Sequence, residues 1–442
     1  MLTLRRLLSV PARRYAWSVP AMGDVAIAFL TVLLIAGATL YAAVPIDLPR
    51  PVPASASPTI FSSERALGHI RAITRKPHPM GSPANAAVRD DVLHQLAALG
   101  LQPGVQIGTA VREVGGELVA GTPENIVALL PGTASGKAVM LAAHYDSVPT
   151  GPGASDDGAG VGAMLETARA LTAGPPLRNH VIFLFTDGDE VESLGARAFV
   201  EHHPWARDIG VVLNVEARGN RGAARLFETS DNNGWLIREF AQAVPYPIVN
   251  SGDDAGYKLS GSDTDLSIFM EAGLPGLNVA YLDGLVHYHS ALDTVEELDE
   301  RSLQHLGSSV LALTRQFGTA DLDQPQTGDA VYFSVLRFVV HYPVGWAIPL
   351  MACIVLLFAA VAAFGWRRRQ LTIGGVAFGF VALLLTMVVT ALVVYPLWTL
   401  IRALHPGDNL WALQYQAHLF WAGFACLAIA VTAALYNGFR RR

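Results

Sequence analysis

Residues 144–190 read HYDSVPTGPGASDDGAGVGAMLETARALTAGPPLRNHVIFLFTDGDE, and this stretch decides the fold. It holds three polar knots: His144-Tyr-Asp146, Ser155-Asp156-Asp157 and Asp187-Gly-Asp189-Glu190. A glycine-rich turn and a helical pattern over 158–173 lead from the second knot to an apolar run, 180–186, that ends in the third. The run before His144, Val139-Met-Leu-Ala-Ala143, is equally apolar. Short apolar strands alternating with helices mark a largely parallel sheet covered on both faces. The same rhythm extends outward, with strands expected at 125–130, 138–144, 180–186, 210–216 and 276–281. Helices are expected at 62–75, 85–99, 158–173, 194–202, 234–243, 265–271 and 294–317, Thr294 and Glu297 forming a capping box for the last. The fold class that follows is α/β, a mixed, largely parallel central sheet flanked by helices, plus transmembrane helices.

The transmembrane part rests on composition. Charged residues make up 15% of the chain and apolar ones 52%, against about 25% charged in an ordinary soluble domain. The apolar excess is concentrated. Behind a tail carrying Arg5, Arg6, Arg13 and Arg14, residues 25–44 are uninterruptedly apolar. That is enough for a helix to span about 30 Å of hydrocarbon, and longer than the about 7–15 residues of a signal-peptide core. Further spans are expected at 344–366, 372–400 and 413–436. Arg367–Arg369 and Arg440–Arg442 then fall on the same side as the N-terminal arginines, which satisfies the positive-inside rule. The expected organisation is a cytoplasmic basic tail (1–24), an anchor (25–45), a stiff Pro/Ser/Ala linker (46–60), the α/β domain (61–320), a polar linker (321–343), the three spans, and a basic tail (437–442). The domain faces the extracytoplasmic side, periplasmic or lumenal, and a lipid bilayer is one partner. The last three spans hold no acid or lysine in their cores, so they read as anchors rather than a transport path. A net charge of −6 argues against nucleic acid as a partner. Both cysteines, Cys353 and Cys426, lie in apolar runs, so any metal in the polar part is held by histidine and carboxylate.

In open α/β sheets, ligands collect beyond the carboxyl ends of the strands. His144 emerges at such an end, with Asp146 placed to accept the proton of its other ring nitrogen and fix the tautomer. Asp156 and Asp157 open a helix, where one can serve as N-cap while the other reaches inward. Acids just ahead of Gly158-Ala-Gly160-Val-Gly162 would repel a pyrophosphate, which rules against a nucleotide loop. Asp187, Asp189 and Glu190 repel one another unless a cation compensates them. Glu216 ends a further buried strand, with Arg218 two residues on, and His287-Tyr-His289 with Asp293 stands at another strand-to-helix junction.

In this order, His-x-Asp, Gly-Ala-x-Asp-Asp, Asp-Gly-Asp-Glu, Glu-Ala-Arg-Gly, Ser-Asp-Thr-Asp and Tyr-His-Ser-x-x-Asp-Thr resemble the co-catalytic zinc aminopeptidases of metallopeptidase family 28, clan MH. Pro77-His-Pro-Met-Gly-Ser82 and Val88-Arg-Asp90 resemble its membrane-anchored branch, the endoplasmic-reticulum and vacuolar-membrane metallopeptidases. The resemblance covers residues 60–318 and implies the zinc exopeptidase fold with two Zn²⁺ per chain. It implies that Asp156 bridges the metals, that His144 and Glu216 complete one and that Glu190 and His289 complete the other. Asp146 orients His144, Asp293 supports the His289 loop, and Arg218 is a candidate for substrate or oxyanion binding. Asp189 stands where the family has a general base, usually Glu, and Glu192-Ser193 replaces the usual Gly-Leu. The implied substrate is a peptide with a free N-terminus. Two zinc readings of the same clan compete: a glutaminyl-cyclase-like acyltransferase, and a carboxypeptidase, whose basic pocket would have only Arg218. A non-catalytic receptor or scaffold on this fold would lack metal ligands, whereas all five positions here are competent donors.

Overall fold

Apolar side chains alternate along the strands between two buried layers, and this alternation shapes the domain. The structure, a computed structural model, describes residues 29, 30, 33, 37, 48–323, 327–404 and 417–440. Its strands are β1 (Gly104–Ile107), β2 (Ala110–Val114), β3 (Glu117–Gly121), β4 (Glu124–Leu130), β5 (Ala138–His144), β6 (His180–Thr186), β7 (Ile209–Ala217), β8 (Arg225–Thr229), β9 (Gly276–Tyr281), β10 (Ala330–Val335) and β11 (Phe338–Pro343). Seven form one sheet in the order β1-β4-β6-β5-β7-β9-β8. The stretch β6-β5-β7-β9 is parallel, while β4, β1 and β8 join antiparallel at the edges. This is the mixed, largely parallel sheet expected.

Successive strand residues point to opposite faces. Val139, Leu141 and Ala143 of β5, with Phe183 and Phe185 of β6 and Val211 and Leu213 of β7, belong to the larger core, shared with the helices Ser63–Ile73, Gly158–Thr172, Gly234–Ala243 and Glu300–Thr319. Met140, Ala142, Ile182, Leu184 and Val212 face the other way. They meet Phe199 of helix Leu194–His202, and Leu266 and Phe269 of helix Asp265–Glu271. Gly307 lets the Phe61 ring lie against the longest helix of the larger layer: a Cβ there would sit 1.9 Å from Phe61 Cζ.

Several expectations are corrected. The helix expected from 294 begins at Glu300 with Asp299 as its N-cap. Asn220 holds the preceding segment away from helical geometry, donating from Nδ2 to the Glu297 carbonyl and accepting the Asp299 N–H (2.9 Å) on its own carbonyl. Strands β1 and β8, the β2–β3 hairpin with its Gly115-Gly116 turn, and the helix Ser251–Ser260 were not anticipated. The 46–60 stretch is no free spacer over its described part. Arg65 donates to the carbonyls of Ala54, Ala56 and Ile60, and Arg169 to those of Pro58 and Ile60, so this segment is clamped to the domain. The second half of the 321–343 linker is the β10–β11 hairpin.

Three described helices are long and apolar enough to cross a membrane: Val344–Arg367, Ile373–Leu404 and Leu419–Phe439. The second continues through Pro396 to Leu404. The tail 1–24, the anchor 25–45 apart from four residues, 413–416 and 441–442 lie outside the described residues.

Candidate metal centre

Strands β6, β5, β7 and β9 run parallel, so their carboxyl ends share one edge of the sheet. His144 is the last residue of β5, Glu216 the penultimate of β7, and the Asp187–Glu190 knot follows β6 directly. The loop after β9 brings His289. Asp157 is the N-cap of the helix Gly158–Thr172 and accepts the Gly160 N–H at 2.9 Å. The capping role therefore falls to Asp157, leaving Asp156 to face the strand ends.

Asp156 is the centre of the arrangement. His144 Nε2 lies 3.3 Å from Asp156 Oδ1 and 3.9 Å from Glu216 Oε2. On the other side, His289 Nε2 lies 3.1 Å from both Asp156 Oδ2 and Glu190 Oε2. Two triads result, His144–Asp156–Glu216 and Asp156–Glu190–His289, each with its ligand atoms within 4.8 Å of one another. The five residues expected as ligands are thus brought together, with Asp156 common to both groups.

The electrostatics fit divalent cations. Asp156, Asp189, Glu190 and Glu216 crowd around two imidazoles, and Glu190 Oε1 is buried without a hydrogen-bond partner among the described residues. Burial, then the Asp156 charge, pushes the Glu190 carboxyl up to about 8. Burial, augmented by Asp189 and Asp156 against the pull of His144, does the same to Glu216, also to about 8. Burial also opposes ionisation of Asp156, but hydrogen bonds from His144 and His289 outweigh it and hold that carboxyl well below its ordinary value. Conversely, burial alone would lower both imidazoles; the surrounding carboxylates raise His144 well above its free value and His289 to about 10. Nitrogen and carboxylate donors in threes suit zinc. A cation there would relieve the repulsion that protons relieve in its absence.

The surrounding residues hold these groups in place. His144 Nδ1 donates to the backbone carbonyl of Asp146 (2.9 Å), while the Asp146 carboxylate stands 3.4 Å away. That carboxylate accepts the N–H groups of Asp189 (3.1 Å) and Glu190 (3.3 Å), so Asp146 fixes the third knot as well as the imidazole. Asp293 accepts from the N–H groups of Ser155 (2.8 Å) and Asp156 (3.1 Å), tying the His289 loop to the central carboxylate. Asp189 Oδ1 accepts from Ser193 Oγ (2.8 Å), and its Oδ2 lies 4.0 Å from His144 Nε2. Glu192 and Ser193 take left-handed φ of +62° and +50°, a region where glycine is unstrained. Arg218 lies over Tyr257 and Tyr288, 5.3 and 5.7 Å from their ring centroids, and donates to the Asp263 carbonyl at 3.2 Å.

Three residues near the centre have no role in the sequence reading, although Asp265 and Tyr288 lie within motifs it quotes. Asp265 is buried, accepts from Thr186 Oγ1, and is pushed well above its ordinary value by burial and then by the Asp189 charge. Tyr288 stacks on His289 with centroids 3.7 Å apart, and Tyr257 reaches the rim from the unanticipated helix Ser251–Ser260. The acid pair Asp263 and Asp265 was the one visible signal, and it reads equally as helix capping.

With this geometry in hand, residues 125–314 match Peptidase family M28. Endoplasmic reticulum metallopeptidase 1 of Rattus norvegicus is 33% identical over 227 residues, 49% of this chain and 25% of that protein. Vacuolar membrane protease of Eremothecium gossypii is 33% identical over 288 residues, 60% of this chain and 28% of that protein. The chain therefore spans about a quarter of the length of these curated relatives. Among solved structures, a Zn-dependent exopeptidase from Parabacteroides distasonis aligns with a TM-score of 0.48 at 18% identity, covering 59% of this chain and 99% of that one. Residues 125–314 are a domain of Peptidase family M28.

Proposed function

We propose that this chain is a membrane-anchored aminopeptidase that uses two zinc ions to hydrolyse the first peptide bond of peptides with a free N-terminus. The observation that carries the reading is the pair of donor triads sharing Asp156 at one sheet edge. His144 and Glu216 would hold one ion with Asp156, and Glu190 and His289 the other. Bound zinc supplies Lewis acidity, lowering the pKa of water toward neutrality and polarising a carbonyl. Asp189, 4.0 Å from His144 and braced by Ser193, takes a proton from the attacking water and passes it to the departing amine. Burial and the Asp189 charge oppose ionisation of Asp265 beside it, so the negative charge of the pair falls on Asp189. The acidic rim attracts a substrate ammonium group, which favours N-termini. Arg218, held between two tyrosines, is positioned to meet the substrate's carbonyl side. The domain faces the extracytoplasmic side, with the basic tails in the cytoplasm.

The test is made on the full chain in lipid nanodiscs, by counting bound metal and assaying aminoacyl-anilides beside their N-acetylated counterparts and an N-terminal glutaminyl peptide. Two zinc ions per chain, turnover abolished by N-acetylation, and loss of activity and one zinc in His289→Ala are expected. A folded wild-type protein with neither metal nor turnover would refute the enzyme. One zinc with cyclisation of the glutaminyl peptide would replace it with an acyltransferase.

A further inference from the structure

The β10–β11 hairpin has two unlike faces. Its register pairs Val331 with Tyr342, Phe333 with Val340 and Val335 with Phe338, so these six side chains share one face. None is charged, and Phe338 is 72% exposed, with Leu336 at the turn 66% exposed. The opposite face is seated on the domain. Tyr332 is buried and its backbone exchanges hydrogen bonds with Ser251 Oγ (2.7 and 3.0 Å). Ser334 Oγ donates to the Pro247 carbonyl (2.8 Å), and Val339 packs against the main core. Phe333, Val335, Phe338 and Val340 are exposed on the first face, with Val331 and Tyr342 half-buried beside them, and such an apolar sheet face marks a surface that something else covers.

What covers it follows from its position in the chain. Strand β11 ends at Pro343, and the first of the three described apolar helices begins at Val344 with no residue between. Trp346 and Trp366 are both exposed, near the two ends of that helix. At about 1.5 Å per residue they stand about 30 Å apart, one hydrocarbon thickness, as an interfacial aromatic pair would. Phe338 lies six residues before Val344, hence within about 20 Å of the bilayer surface along an extended strand. Lipid requires no matching charges, and this face offers none; its one polar side-chain group is the Tyr342 hydroxyl, suited to the headgroup level.

We propose that the β10–β11 hairpin is seated in the headgroup–acyl boundary of the bilayer through Val331, Phe333, Val335, Phe338, Val340 and Tyr342. It gives the domain a second lipid contact beside the helix and sets the tilt of the catalytic edge over the membrane. This rests on the reading that Val344–Arg367 crosses the bilayer. The test uses the full chain with Cys353→Ala and Cys426→Ala, carrying one new cysteine, Phe338→Cys, Val335→Cys or the exposed control Leu118→Cys, each labelled with an environment-sensitive fluorophore. A fourth protein keeps native Cys353, inside the span, and carries only Cys426→Ala. In phosphatidylcholine vesicles doped with spin-labelled lipid, quenching at 338 and 335 is expected to exceed that at 118 several-fold, and Cys353 is expected to be quenched as well. Quenching at Cys353 but not at 338 or 335 would overturn the hairpin proposal and leave the span intact. No quenching at Cys353 would show that the span reading itself fails. A blue-shifted but unquenched 338 label that reverts when protein is diluted into lipid would assign the face to a second copy and overturn the proposal.

Discussion

Stripping metal from this protein should make it lose stability as pH rises, and adding zinc should reverse the loss most at high pH. The sign comes from the carboxyls. Glu216 ionises near 4.5 when free, but burial and the neighbouring acids raise it to about 8 in the metal-free fold. Between those values the unfolded chain has released a proton that the fold retains, so raising pH favours unfolding. By pH 7 Glu216 alone contributes a loss on the order of 3 kcal/mol, at about 1.4 kcal/mol per pH unit. Glu190, also raised to about 8, acts in the same direction. His289, held up to about 10 by Asp156 and Glu190 against the effect of burial, adds stability below 6.5 that is lost as pH climbs toward 10. For a domain of this size, 3 kcal/mol corresponds to a Tm change of about 6–12 °C. The assay is thermal unfolding of the full chain, chelator-treated and zinc-reloaded, at intervals from about pH 5 to about pH 8, the range in which carboxylates and imidazoles exchange protons for metal. A metal-free Tm that stays flat or rises over that range would refute the reasoning. So would a zinc-induced gain no larger at the alkaline end than at the acid end.

Asp189→Asn should lower turnover by about 10²–10⁴-fold with bound zinc unchanged; loss of metal in that variant, measured by elemental analysis, would make Asp189 a ligand rather than a base. Gly307→Ala forces a Cβ to within 1.9 Å of the Phe61 ring, so it should cost on the order of 1–3 kcal/mol or more in thermal unfolding. Phe61→Ala alone should cost about 3–5 kcal/mol, and the double variant should cost less than the sum because removing the ring removes the clash that Gly307→Ala creates.

The parallel centre of the sheet was legible because its strands are buried on both faces and read as unbroken apolar runs, as in Val139–Ala143 and Val181–Phe185. The candidate site was legible because His144, Asp156, Glu190 and Glu216 each follow or end such a run or open a helix. Edge strands are a different matter. Strand β8 is buried from Leu226 to Thr229 but its apolar run is broken by Glu228, and the largely exposed β2–β3 hairpin carries Arg112 and Glu113, so both patterns resemble loop. The start of the last domain helix was misplaced because Thr294 and Glu297 satisfy a local capping rule that Asn220, more than seventy residues earlier, overrides. Asp265, though inside the Ser-Asp-Thr-Asp motif, has no role in the sequence reading for a similar reason: an acid at a helix start needs no further explanation until Asp189 and Thr186 are seen beside it.

The two triads are not equally enclosed. His144, Asp156 and Glu216 are almost fully buried at strand ends and a helix start. His289 sits in a loop with φ +54°, half-exposed, and reaches the centre only while Asp293 keeps that loop docked on the backbone of Ser155 and Asp156. The inner triad is held by the sheet and a helix start, whereas the outer one depends on a loop staying docked. On the proposed two-zinc reading, metal loading should therefore proceed in order, inner position first. At limiting zinc the population would be dominated by half-loaded molecules, and activity plotted against added metal would begin with a lag.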